Sequence, residues 1–325
     1  MSMPVMINTE PYGNCPMNHA TASQLNESLN ESLIDVSRFP VDLARVDSIV
    51  PATALVDAVV RAVEHKHGFA VLHGAGTLLT ARGLDVHAEA SAETARRYYE
   101  AIFRAAVARF DLSRYSPVKV AYDRIAKMDV DGYNTNKSFT PNSDHTESRE
   151  FVTTKCVHFD AATPFIVNIY GPNQNITGGL PMICDTRTFC KDKGIDAKAL
   201  IENIPNNYNV AVKAEYCEEI LRRYSFALDV DLDDDVVAIV LFNEVIGGVA
   251  HAATTPDRAD ATHPARRPIR HIEFQVATTE DLKAWYDFYG LGLTKAVDSK
   301  VDAEGAMFRR YHRGEATSNI VPVSR

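Results

Sequence analysis

From about residue 117 onward the chain is a succession of short apolar runs divided by clusters of Gly, Asn, Pro and Asp, and this alternation limits what it can fold into. The runs read VKVAY, EFVTTKCVHF, PFIVNIYG, LPMICD, VVAIVLF and RHIEFQVA. Each has roughly the length of a strand and each ends in turn-forming residues, so together they predict an antiparallel sandwich or barrel. Residues 196–224 break the pattern and predict a helical insert.

The front third reads differently. Leu55, Val59 and Val63 fall four apart and predict a helix over residues 52–67, ended by Gly68. The segment Gly68-Phe-Ala-Val-Leu-His-Gly74 follows as a short buried strand. A further helix is expected over residues 91–110, where Tyr99, Ile102, Phe103, Ala106 and Phe110 share one face and Ser91 is a candidate N-cap. The repeat LNESLNESL sets Leu25, Leu29 and Leu33 four apart, as in a helix laid on the body.

The expected organisation is an arm over residues 1–20 and a single domain over 21–325. That domain has a helical front section to about 116, a β core over about 117–278 and a C-terminal helix or extension over about 279–325. Its fold class is mainly β with a helical N-terminal section. A hydrophobic content of 46% in 325 residues supplies a core without covalent staples.

Charge and cysteine usage exclude several function classes. Asp and Glu number 43 against 34 Lys and Arg, a net charge of −9, which argues against a general nucleic-acid binder. The five cysteines form no CxxC pair and predict neither a disulfide framework nor a structural zinc site. No apolar run approaches the ~20 residues needed to cross a bilayer, so no membrane partner is expected. The first residues have no basic stretch followed by an apolar one, and a cytoplasmic location is expected.

The chemistry gathers around His158-Phe-Asp160, at the end of a predicted strand. Residues i and i+2 of a strand point to the same face, so this imidazole and carboxylate converge. His251 lies 91 residues beyond Asp160, after the run VVAIVLF and the bend Gly247-Gly248. Two imidazoles and one carboxylate on one side of a metal leave adjacent positions open, the arrangement of non-haem iron(II) oxygenases. The imidazoles must be neutral to bind, so metal affinity should fail at acid pH.

After this motif come an apolar strand (Pro164 to Tyr170), the loop GPNQNIT, the pair Gly178-Gly179, and, beyond His251, a basic cluster entering the strand His271 to Val276. In that order of parts, residues ~150–278 resemble the iron(II)/2-oxoglutarate-dependent dioxygenases. The segment Gly68–Gly74 is also similar to the N-terminal region of the isopenicillin-N-synthase-like branch. The resemblance implies a double-stranded β-helix (jelly-roll) core of two facing four-stranded sheets, with Fe(II) at one mouth held by His158, Asp160 and His251.

It also implies 2-oxoglutarate and O2 as co-substrates and an Arg on the last strand that pairs with the far carboxylate of the keto acid. Arg270 is preferred, since it shares parity with Ile272, Phe274 and Val276, the apolar set expected to point into the sandwich; Arg267 is the alternative. The charges suit this: one carboxylate leaves the ion at net +1, the keto acid brings −2, and a planar guanidinium matches a carboxylate. Halogenases of the family lack the carboxylate ligand, so Asp160 disfavours that outcome. The implied reaction is C–H hydroxylation of a small molecule, an amino acid or natural-product intermediate, releasing succinate and CO2.

Other readings compete. His145-Thr-Glu147 has the same i, i+2 geometry and resembles the metal pair of the clavaminate-synthase-like branch, but charged neighbours place it on the surface or at the pocket rim. The stretch RHIEFQVATTEDLKAWYDFYGLGL resembles the opening of a glyoxalase-type vicinal-oxygen-chelate module, with His271 as its metal ligand. A barrel that binds a ligand without turnover is the non-enzymatic alternative. Asn168 and Tyr170 are candidate pocket residues, Asn243 and Glu244 are read as turn residues, and Asp231 to Asp235 as a solvated patch.

Overall fold

The alternation of apolar runs and turns becomes two sheets in the computed structural model. The structure describes residues 6–8, 32–39, 41, 43, 49–110, 124–131, 157–172, 175–178, 181–204, 209–229, 235–253, 256–258, 268–275, 279–292 and 321–322. The run VKVAY, most of EFVTTKCVHF, His145 and Glu147, Arg267, and the helix positions Leu25 and Leu29 lie outside them.

The first sheet contains β1 (Met6–Asn8), β5 (His158–Phe159), β8 (Pro181–Cys184), β9 (Ile201–Asn203), β10 (Val210–Val212), β11 (Ser225–Asp229) and β13 (Ala250–Ala253). Its strand order is β1-β11-β8-β13-β5-β10-β9, antiparallel throughout. The second contains β2 (Leu33–Asp35), β3 (Phe69–His73), β4 (Arg124–Asp131), β6 (Phe165–Tyr170), β12 (Val237–Phe242), β15 (Pro268–Gln275) and β16 (Val321–Pro322). Its order is β16-β4-β15-β6-β12-β3-β2, with a parallel pairing only at β2–β3. A two-stranded ribbon joins β7 (Ile176–Gly178) to β14 (Pro256–Arg258). The molecule is therefore mixed helix and sheet, with seven strands per sheet among the described residues, where four were expected.

Three apolar layers explain the stacking. Helices α1 (Thr53–Val60, continuing as a π turn to Lys66), α2 (Ala75–Thr80) and α3 (Glu89–Val107) cover the outer face of the second sheet. There Leu55, Val59, Tyr99 and Phe103 meet Leu72, Val167, Ala238 and Ile272. Between the sheets, Phe69, Val71, Ile166, Ile239 and Leu241 meet Ile183 and Val249. On the far side of the first sheet lie α4 (Thr186–Lys193), α5 (Ala197–Leu200), α6 (Ala214–Arg223) and α7 (Thr279–Phe288). Phe189, Ile220, Leu282 and Trp285 from that side pack on Phe159, Cys184 and Val212. Strand β12 is buried at all six positions, because helices cover one face of its sheet and strands the other; its unbroken apolar run follows from that.

Some local expectations change. Leu33 sits in β2, paired with Val71, so the fourfold leucine spacing does not end in helix there; an open strand edge recruits the segment. The insert over 196–224 is not continuous helix. Its middle is the hairpin β9–β10, because Ile201, Val210 and Val212 find strand partners and a buried face. Helix α3 begins two residues before Ser91, with Ala88 as the extended cap residue and Glu89 in the first turn. Ser91 is buried inside the helix instead.

The acidic stretch expected in solvent ends in a buried anchor. Asp235 accepts hydrogen bonds from the backbone N–H groups of Gly74 and Gly76, each at 2.6 Å, and of Val236 at 2.8 Å. Burial raises its pKa, and those three donors oppose the rise. Among the described residues no helix is long and apolar enough to cross a membrane.

Candidate metal centre

Strand parity sets the centre on the inner face of the first sheet. Val157, Phe159 and Ala161 point toward the outer helices, so His158 and Asp160 point the other way, toward the second sheet. His251 does the same, because its neighbours Ala250 and Ala252 belong to the outer cluster. His158 and His251 are register partners on the adjacent antiparallel strands β5 and β13. Side chains directly opposite one another stand ~5 Å apart at Cβ, and these two rings lie with centroids 4.2 Å apart.

The turn before β13 requires a glycine. At Gly248 a Cβ would run into the backbone of Phe242 and Glu244, and the preceding Gly247 has φ 84°. The chain thereby reverses tightly enough for β13 to start with His251 beside β5.

Asp160 completes the group. Its Oδ1 lies 3.8 Å from Nε2 of His158 and its Oδ2 lies 3.6 Å from Nε2 of His251. Those separations are too long for hydrogen bonds. Each is less than twice a ~2.1 Å metal–ligand bond, so an ion could bridge the carboxylate to either imidazole. The three ligand atoms fall within 4.8 Å of one another. Among the described residues this is the group of His, Cys, Asp and Glu side chains so placed.

The electrostatics also fit a cation. Burial holds the His251 pKa well below that of a free imidazole, and the nearby His158 and His271 lower it further. A neutral imidazole is the form that ligates. Among the described residues, the buried Nδ1 of His251 has no hydrogen-bond partner. Two nitrogens and one oxygen, on two buried residues and one partly buried one, suit a first-row divalent ion.

Two asparagines hold Asp160, one by its backbone and the other by its carboxylate. Asn243 is fully buried, and its Nδ2 donates to the carbonyls of Asp160 and Thr163, both at 2.8 Å. Its Oδ1 accepts from the backbone N–H of Asp160 at 3.3 Å. Asn209 donates from Nδ2 to Asp160 Oδ1 at 2.5 Å. The sequence alone marks Asn243 as a turn residue and places Asn209 inside the expected helical insert. The signal for Asn209 was the position of its residue just ahead of the short apolar triplet Val210–Val212, which is strand β10.

Behind Asn243, Glu244 is fully buried beneath helix α7. Trp285 Nε1 donates to its two oxygens at 3.3 and 3.4 Å, and the Tyr289 hydroxyl donates at 3.1 Å. Burial raises the Glu244 pKa to about 7, against the opposing effect of those hydrogen bonds.

The second sheet forms the opposite wall. Asn168 and Tyr170 share parity with Ile166, which packs between the sheets. On β15, Ile269 packs into the same layer and Ile272 into the helical layer, so His271 faces inward and Arg270 outward. His271 and Asn168 are register partners, joined by Nδ1 and Oδ1 at 2.6 Å. His271 is thus engaged by Asn168 and is not a member of the three-donor group.

Arg270 differs from expectation. The apolar face of β15 that carries it packs on helices, not into the gap between the sheets. Its guanidinium there donates to both oxygens of Glu93 on α3, at 3.0 and 2.8 Å. The sequence matches no protein-family model and no curated protein.

Proposed function

We propose that the protein is a non-haem iron(II)/2-oxoglutarate-dependent oxygenase acting on a small molecule. The observation that carries this reading is the convergence of His158, Asp160 and His251, remote in sequence, on one buried point between two sheets. Two antiparallel-rich sheets support this reading at the level of a two-sheet architecture. When bound, a ferrous ion with 2-oxoglutarate supplies the oxidation of a C–H bond by O2, giving the hydroxylated product, succinate and CO2.

The chain's own groups have separate tasks in this reading. His158 and His251 offer neutral nitrogens, and Asp160 supplies the single negative charge that lowers the net charge of the centre. Asn243 and the turn at Gly248 fix the backbones that carry Asp160 and His251. Asn168, Tyr170 and His271 give the opposite wall polar atoms for orienting an organic substrate, an amino acid or a natural-product intermediate. Since Glu93 engages Arg270, Arg267 becomes the stronger of the two candidates for the far carboxylate of the keto acid.

Anaerobic protein given ferrous salt and 2-oxoglutarate should develop a weak visible charge-transfer band. Admission of air should then convert 2-oxoglutarate to succinate. A vicinal-oxygen-chelate enzyme or a non-catalytic binding protein would do neither, and that double negative would overturn the proposal.

A further inference from the structure

The turn that delivers His251 is held from behind by a helix. Between β12 and β13 the turn closes on itself through two backbone bonds. Gly248 N–H donates to the Glu244 carbonyl at 3.0 Å, and Val249 N–H donates to the Phe242 carbonyl at 2.8 Å. The side chain of the same Glu244 accepts from Trp285 of α7 and from Tyr289, the residue just past its end. One residue therefore carries the turn on its carbonyl and the helix on its carboxylate.

The helix also lies behind both metal-bearing segments. Leu282 and Trp285 share one buried cluster with Phe159 and Ala161, which flank Asp160, and with Ala250 and Ala252, which flank His251. Asn243, the neighbour of Glu244 in the chain, binds the Asp160 backbone. At the C-terminal end of α7, Lys198 donates to the Phe288 carbonyl at 2.9 Å and Asn203 to the Gly292 carbonyl at 2.8 Å. Those bonds are exposed, and water competes for them. The bonds to Glu244 are buried, so a shift of helix or turn would cost the indole and phenol an acceptor that water does not replace.

We propose that Glu244 is a positioning residue for the metal centre: by accepting from Trp285 and Tyr289 it couples the docking of α7 to the turn that sets His251 beside His158. The inference rests on the metal reading above and adds to it a dependence on a helix that lies on the far side of the sheet. The coupling is reciprocal. Whatever factor undocking of α7 takes from metal affinity is the factor by which a bound metal holds α7 down.

The test uses Co(II) as a probe on the full chain, with no turnover required. Amide hydrogen exchange is followed in α7 and in α3, a helix packed on the other sheet, with and without saturating Co(II). Exchange in α7 should slow about tenfold more than in α3. Co(II) affinity, read from the visible bands, should weaken about tenfold in Glu244→Leu, which keeps the bulk and removes the acceptor. Glu244→Gln, which keeps an acceptor, should recover most of that loss. Bound Co(II) that slows exchange equally in both helices would overturn the coupling while leaving the metal site standing, as would a folded Glu244→Leu protein with wild-type affinity. Should that variant fail to fold, the exchange measurement on wild-type protein decides. Wild-type protein that binds no Co(II) would remove the metal reading and this inference with it.

Discussion

Arg270 and Glu93, 177 positions apart in the chain, meet through two hydrogen bonds that bind the strand β15 to the helix α3. The arginine side chain is 5% exposed and the glutamate 28%, so the pair sits at the margin of the helical layer. Removing one partner leaves the other charge poorly solvated.

Arg270→Met should accordingly destabilise the fold by about 3 kcal/mol, the low end of what breaking a buried pair costs, since Glu93 keeps partial contact with water. Glu93 also retains Arg97 at 3.1 Å. The double variant Arg270→Met/Glu93→Leu should recover much of the loss. Urea unfolding of the three proteins measures this; an Arg270→Met protein as stable as wild type would contradict a structural role.

His158→Ala should lose ferrous-ion binding and 2-oxoglutarate turnover while the sheets remain folded, because the donor is removed without touching the apolar layers. His145→Ala should keep the metal. Equilibrium dialysis against ferrous salt, with circular dichroism as the folding control, separates the two. The reverse pattern would move the centre to His145 and Glu147.

Glu244 gives a pH dependence of definite sign. Burial beneath α7 raises its pKa from the ordinary 4.5 to about 7 in the folded protein. The folded state therefore holds the proton more tightly than the unfolded chain. The contribution to stability is full below pH ~4.5 and falls as the pH rises toward ~7, by a few kcal/mol at most. Glu244→Gln keeps acceptors for Trp285 and Tyr289 but cannot ionise, so its stability relative to wild type should improve between pH 5 and pH 8. Parallel curves for the two proteins across that range would show that Glu244 does not titrate there.

Asp235→Ala removes the acceptor shared by the N–H groups of Gly74, Gly76 and Val236. Buried donors left unbonded cost about 1–3 kcal/mol each before relaxation and water entry. A loss of about 2–3 kcal/mol is expected, measurable by thermal or urea unfolding. A loss below 0.5 kcal/mol would mean that Asp235 is solvated after all.

The readable parts of the sequence were those with a local period. Six-residue apolar stretches such as Val237–Phe242 became strands, and the 3.6-residue pattern around Tyr99 and Phe103 became α3. His158 and Asp160 were identified as sharing a face because alternation in a strand needs no knowledge of the rest of the chain. Val210–Val212 is not legible as a strand because three residues carry too little periodicity to outweigh the helical pattern around them. With that strand went Asn209.

By itself the sequence determined the strand-rich core, the helical front and the equal parity of His158 and Asp160, since all three follow from spacing along one segment. Only the tertiary structure decided which face of β15 meets helices and which meets the other sheet. Both faces are covered, so alternation distinguishes two sets of side chains without saying what lies opposite either. Packing on α3 sent Arg270 to Glu93, and pairing with β6 sent His271 to Asn168. The same holds for the centre itself: His251 joins His158 through the register between β13 and β5, a relationship set by hydrogen bonds between distant strands.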